Sequence, residues 1–110
     1  MIDIQVQHFS LTEAMESYIK QKLEPIQTHF GDRILSINVH LSDINGPKGG
    51  VNKQCLIHID LQKLPTVVVE DTKDNLYSAV DNCCQRAERA VRKSLERQQT
   101  LARKPATSQV

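Results

Sequence analysis

The sequence predicts a two-layer α+β sandwich of order β-α-β-β-β-α, with a four-stranded mixed sheet carrying two helices on one face. Two observations point there. Three segments alternate apolar and polar residues, a fourth is a run of β-branched valines, and two longer segments repeat apolar residues every three to four positions. Each strand or helix so defined has one apolar face, and such faces are covered by stacking in layers. At 110 residues, 39% hydrophobic and 25% charged, the composition is that of one globular domain. No apolar run is long enough to span a membrane, and no charged start followed by an apolar stretch marks a secretory leader.

The opening segment from Ile2 to Phe9 sets Ile2, Ile4 and Val6 against Asp3, Gln5 and Gln7, the pattern of a half-buried strand. In Ser10-Leu-Thr-Glu13, Ser10 is placed to cap a helix and Glu13 to reach back to it. Leu11, Met15, Tyr18, Ile19, Leu23 and Ile26 then form the apolar stripe of that helix. Pro25 is expected to kink it or end it near Glu24, with a short turn running to Phe30 and Gly31 as the stop. A second strand runs from Ile34 to Leu41 with Ile37, Val39 and Leu41 inward, and a third turns Cys55, Ile57, Ile59 and Leu61 inward. Asn45–Gly50 is a loop by composition. A fourth strand covers Thr66–Glu70. Short links make strands two to four antiparallel, and the helical crossover makes strands one and two parallel. The last helix starts near Asp71-Thr-Lys-Asp74, whose short polar side chains suit a helix start. Leu76, Val80, Cys83, Ala87, Val91 and Ser94 are its inward stripe. The domain is expected to span 1–97, leaving 98–110 as a helix end and a flexible polar tail.

The formal charge of +1 conceals a division along the chain. Residues 1–85 hold seven Lys/Arg against eleven Asp/Glu, a balance of −4, whereas 86–110 hold seven Lys/Arg against Glu88 and Glu96, a balance of +5. On the last helix Arg86, Arg89, Lys93, Arg97 and Lys104 fall within an arc of about 80°, roughly 120° from the apolar stripe. Cations spaced about 5–6 Å apart on an exposed face match a phosphate backbone, each contact releasing counterions. The plainer account is solubility and complementarity to the helix dipole.

Other features point to no chemistry. Gly46-Pro-Lys-Gly49 fits the G-x-x-G of KH domains but joins two strands rather than two helices, so the glycines read as turn residues, with Lys48 as at most one phosphate contact. His40 and His58 share the polar sheet face without a third metal ligand. Cys55, Cys83 and Cys84 lack metal or redox spacing and read as small core residues in a reducing cytoplasm. No catalytic constellation, cofactor motif or small-molecule site is evident. Phe9, Tyr18, Phe30 and Tyr77 are the aromatics, and none supplies a base-stacking sheet. RNA would therefore be bound by charge and shape from the helices. A rival reading is a regulatory module binding an acidic protein through the same basic helix.

Leu11-Thr-Glu-Ala-Met-Glu-Ser-Tyr-Ile19 with Lys22-Leu23, and Asp74-Asn-Leu-Tyr-Ser-Ala-Val-Asp81 leading into the basic helix, resemble the ribosome hibernation-promoting factor family, also called ribosome-associated inhibitors or ribosomal subunit interface proteins. The resemblance covers about residues 1–97 and implies the same β-α-β-β-β-α fold. It implies a non-enzymatic, cytoplasmic factor that binds the small ribosomal subunit and its ribosomal RNA in the channel for messenger and transfer RNA, silencing translation under stress or in stationary phase. By position, Lys22, Arg86, Arg89, Lys93 and Arg97 match the family's RNA contacts, with Lys20 and Arg92 as outer candidates. Pro25 stands where relatives usually continue the first helix. The extra C-terminal domain of long members is not expected here, which makes this a short form. Off the ribosome a monomer is expected.

Overall fold

The computed structural model describes residues 2–7, 9–43 and 53–107, with side chains as far as Gln98. The elements are β1 (Ile2–Gln7), α1 (Glu13–Phe30), a 3-10 turn (Gly31–Arg33), β2 (Ile34–Asp43), β3 (Lys53–Leu61), β4 (Val67–Lys73) and α2 (Leu76–Thr107). The Asn45–Gly50 loop, with Lys48, lies outside the described residues. The sheet order is β1-β2-β3-β4; β1 runs parallel to β2, and the other pairs are antiparallel. The predicted two-layer α+β sandwich is the one observed. Ile37, Val39 and Leu41 of β2 and Cys55, Ile57, Ile59 and Leu61 of β3 are buried beneath Ile19, Leu23 and Ile26 of α1 and the inner face of α2. Each fully buried Ile, Leu or Val contributes roughly 1.5–3 kcal/mol.

Four local expectations are corrected. The α1 cap is Thr12 rather than Ser10: its Oγ1 accepts the Met15 N–H at 3.1 Å, while Leu11 packs against the core. Pro25 does not end α1, which continues to Phe30. Pro25 withholds a hydrogen bond from the Gln21 carbonyl, but both residues are exposed, so water can satisfy that oxygen; the buried Ile26 and half-buried Phe30 favour continuation. Gly31 keeps right-handed helical angles, φ −55° and ψ −34°, and leads into the 3-10 turn instead of a left-handed stop. Asp71, Thr72 and Lys73 belong to β4, paired with Cys55, Gln54 and Lys53. The long β3 extends its partner past Glu70, and the α2 start falls to Asn75, whose Oδ1 accepts the Tyr77 N–H at 2.8 Å.

The α2 stripe is wider than the heptad-like spacing suggested, since Ala79 and Cys84 are buried beside Leu76, Val80, Cys83, Ala87 and Val91, with Ser94 half-buried at the edge. Small residues let this helix approach β3 and β4 closely. The Cys83 thiol donates toward the Cys55 and Val69 carbonyls at 3.4 and 3.6 Å. At 32 residues α2 is about 48 Å long, and its helical backbone continues past Arg97 and through Pro105.

Two polar clusters tie the strands. Asp60 on β3 accepts from Thr66 Oγ1 at 2.7 Å and Ser36 Oγ at 2.8 Å, and these bonds hold its carboxyl below the usual carboxylate range. Lys53 and Asp43 pair at 2.7 Å where β3 and β2 meet in register. The β3–β4 connection is short enough to need a left-handed residue, Lys63 at φ 60°, a conformation costing a non-glycine residue about 1 kcal/mol.

Candidate nucleic-acid interface

One flank of α2 faces α1 and the other faces β4 and the β3–β4 turn. The α1 flank carries Tyr77, Asp81, Glu88 and Arg92. Asp81 accepts the Tyr18 hydroxyl at 2.6 Å and pairs with Lys22 at 3.4 Å; Lys22 also lies 5.5 Å from the Tyr18 ring centre. Tyr18 and Tyr77 meet edge to face at 4.8 Å. The Asp81 hydrogen bond, then burial, pushes the Tyr18 phenol up to about 12. Glu88 pairs with Arg92 at 3.2 Å and lies 3.7 Å from His29, and Arg92 sits over Phe30 at 6.0 Å. On α1 itself, Lys20 pairs with Glu16 at 3.2 Å. Every cation placed on this flank thus has a carboxylate beside it.

The opposite flank carries the predicted stripe. Arg86, at its start, is tethered to β4 by a bond to the Glu70 carbonyl and lies 3.7 Å from Asp71. Arg89, Lys93 and Arg97 follow at steps of four residues, about 6 Å of helix axis each. All three are exposed, and among the described residues none has a carboxylate partner. The side chain of Lys104 lies outside the described residues. The seven candidate residues therefore divide: Arg89, Lys93 and Arg97 form a bare row, whereas Lys20, Lys22, Arg86 and Arg92 are held by protein acceptors.

A helix that is one-sidedly apolar leaves its far side free for charge, and the row inherits its spacing from the backbone. That spacing presents three positive charges in a line, none of them ion-paired among the described residues although Glu96 stands beside them on the helix, an arrangement that exchanges condensed counterions for a polyanion backbone. Sequence reasoning missed Lys63. The β3–β4 turn carries it to the same end of α2, where it shares a groove with Lys93 and Arg97. The signal was the brevity of the Gln62–Pro65 link, which forces its tip over the helix that covers β4.

The open sheet face is polar. His40 and His58 do approach, with ring centres 6.0 Å apart, beside a depression lined by Gln5, Gln7, Ser42 and Gln54. Among the described residues, no three His, Cys, Asp or Glu side chains group as a metal site. Val68 on this face is 53% exposed. All three cysteines are buried and free. Burial pushes the Cys84 thiol up to about 12, and hydrogen bonding between Cys55 and Cys83, then burial, pushes Cys55 up as well. Among the described residues, no helix is long and apolar enough to cross a membrane.

Comparison with known proteins gives this geometry a context. The family model for Sigma 54 modulation protein / S30EA ribosomal protein matches residues 2–99. A ribosome hibernation promoting factor of Pseudomonas putida is 28% identical over 103 residues, 91% of each chain. A ribosome hibernation promotion factor of Picosynechococcus sp. is 26% identical over 95 residues; the match takes in 86% of this chain but 48% of that longer one. Among solved structures, the N-terminal domain of Thermus thermophilus Protein Y superposes with a TM-score of 0.69 at 27% identity, covering 83% of this chain and 93% of that one. A ribosomal subunit interface protein of Coxiella burnetii has the same fold, with a TM-score of 0.71 at 23% identity over 84% and 93% of the two chains.

Proposed function

The chain belongs to the Sigma 54 modulation protein / S30EA ribosomal protein family, and from that premise we propose that it is a ribosome hibernation factor acting on the small ribosomal subunit. In this reading it occupies the channel for messenger and transfer RNA and silences translation under stress or in stationary phase. It acts by occupancy, in the cytoplasm, and needs no cofactor.

The observation that carries the reading is the bare row Arg89, Lys93 and Arg97 on the outer flank of α2. Polyanion affinity comes mainly from charges without a partner to give up. A helix packed on a sheet fixes the backbone that carries those charges when the protein folds, so binding has only their side chains left to order. Arg86, Arg92, Lys20 and Lys22 are secondary contacts in this scheme, because each must exchange a protein acceptor for phosphate. The acidic balance of residues 1–85 opposes binding through other surfaces and so favours one orientation.

The test is sedimentation of lysate from growing and starved cells through a density gradient, with the protein followed by antibody. The expected result is co-migration with small subunits and whole ribosomes from starved cells, abolished by nuclease digestion of the ribosomal RNA. Absence from both fractions overturns the proposal. Association that survives complete nuclease digestion overturns it in favour of an acidic protein partner.

A further inference from the structure

We propose that the groove between the β3–β4 turn and α2 is a subsite for one unpaired RNA nucleotide, its base on the apolar floor and its phosphate among the cations at the rim. The inference rests on the reading that the protein binds ribosomal RNA and adds which form of RNA this end of the row takes. The groove has a volume of about 500 Å³, within the range of roughly 300–1,000 Å³ typical of small-ligand sites. It is lined by the half-buried Leu64 and Ala90, which with Pro65 serve as its apolar floor, and by the exposed Lys63, Lys93 and Arg97, which serve as its rim.

Three observations select a nucleotide. The first is the pairing of an apolar floor with three cations and no carboxylate among the lining residues, which suits a flat ring joined to an anion. Duplex RNA offers phosphate and ribose along its grooves but keeps its base faces stacked, so it would leave the floor uncovered. The second is Lys63, which holds a left-handed backbone at φ 60° and thereby places a cation at the tip of the turn, opposite Lys93 and Arg97. The third is the fixed end of the groove. Arg33 is bonded to Gln98, and the Gln62 N–H donates to the Arg33 carbonyl at 2.8 Å, so the turn and α2 are tied through a common residue. The site is therefore formed before any ligand arrives. Ser94 and Gln98 add polar groups beside the floor for a base edge.

The experiment titrates the full-length, isotope-labelled protein with adenosine 5′-monophosphate, uridine 5′-monophosphate, inorganic phosphate and a hexa-aspartate peptide, following backbone amide resonances. Both mononucleotides are expected to shift Lys63, Leu64, Ala90 and Lys93 together at millimolar concentration. Inorganic phosphate is expected to move the rim residues and leave Leu64 and Ala90 in place. Lys63→Gly, which suits the left-handed backbone and preserves the fold, is expected to weaken mononucleotide binding roughly threefold, the size of one exposed ion pair. Leu64→Asp is expected to abolish it.

Mononucleotide shifts absent from the groove overturn the proposal, as do shifts reproduced in full by phosphate or by the aspartate peptide. Sedimentation of the unmodified protein with small subunits separates the two readings. Subunit binding with a silent groove removes the nucleotide site alone. A responsive groove in a protein that does not bind subunits removes the hibernation reading alone.

Discussion

Replacing Arg89, Lys93 and Arg97 together by glutamine removes three charges while leaving the buried face of α2 untouched. Each side chain is exposed and, among the described residues, without a carboxylate partner, so each is expected to contribute close to one full counterion-releasing contact. The slope of log affinity against log salt then falls by about 0.7–0.9 per residue, hence by about 2–3 for the triple variant. Between 50 and 200 mM salt each such contact accounts for roughly a 2.5- to 3.5-fold change in affinity. At that rate the triple variant loses about 20- to 40-fold of the unmodified protein's salt sensitivity over the same interval. The assay is fluorescence anisotropy of labelled protein titrated with purified small subunits at several salt concentrations. Arg92→Gln and Lys22→Gln are the controls, since Glu88 and Asp81 already offset those charges at 3.2 and 3.4 Å. Each control is expected to change the slope by less than half of what a bare residue does. Equal effects from bare and paired cations would refute the reasoning, and so would a triple variant whose slope matches the unmodified protein.

Four further outcomes are expected. Leu23→Ala, at a site with 0% exposure, is expected to cost about 3 kcal/mol and lower the melting temperature by roughly 10–20 °C, followed by circular dichroism; a shift of a degree or two would show that the α1–sheet contact is not a rigid core. Thr12→Ala is expected to cost about 1 kcal/mol through loss of the helix cap, and Ser10→Ala much less. Ultraviolet titration should show one of the two tyrosines ionising near pH 12, and Tyr18→Phe should remove that step. Because the phenol is raised above its unfolded value of 10, the Asp81 pairing contributes stability in full below pH 10 and loses it as the pH climbs toward 12. All three thiols are expected to resist a thiol-reactive dye at pH 8 in the folded protein and to react together in denaturant, with rapid native labelling of Cys84 as the contrary result.

The layers of this protein were legible because its strands alternate without ambiguity. Ile37, Val39 and Leu41, and likewise Cys55, Ile57, Ile59 and Leu61, face the core as their period-two spacing dictates. Element ends were less legible, since they are decided by partners distant in the chain. Asp71–Lys73 look like a helix cap in isolation, yet β3 offers unpaired backbone opposite them and they join β4. Pro25 is a helix breaker by local chemistry, yet the burial of Ile26 and the packing of half-buried Phe30 carry α1 past it. The stripe on α2 followed from helical angle alone. That Arg86 is tethered while Arg89 and Lys93 are bare did not, because that depends on where Glu70 and Asp71 of β4 fall across the fold.

The division of α2 into an inner and an outer flank has a consequence over generations. Ala87 and Val91 face the sheet, while Arg89 and Lys93, two residues along from each, face away. Exchanges on the outer flank therefore leave the melting behaviour within about 0.5 kcal/mol of its starting value. Under the proposed function, grip on a polyanion can then drift upward or downward one charge at a time, with no compensating change inside the protein. A lineage carrying this helix can retune how tightly it holds its target without first becoming a more or less stable protein.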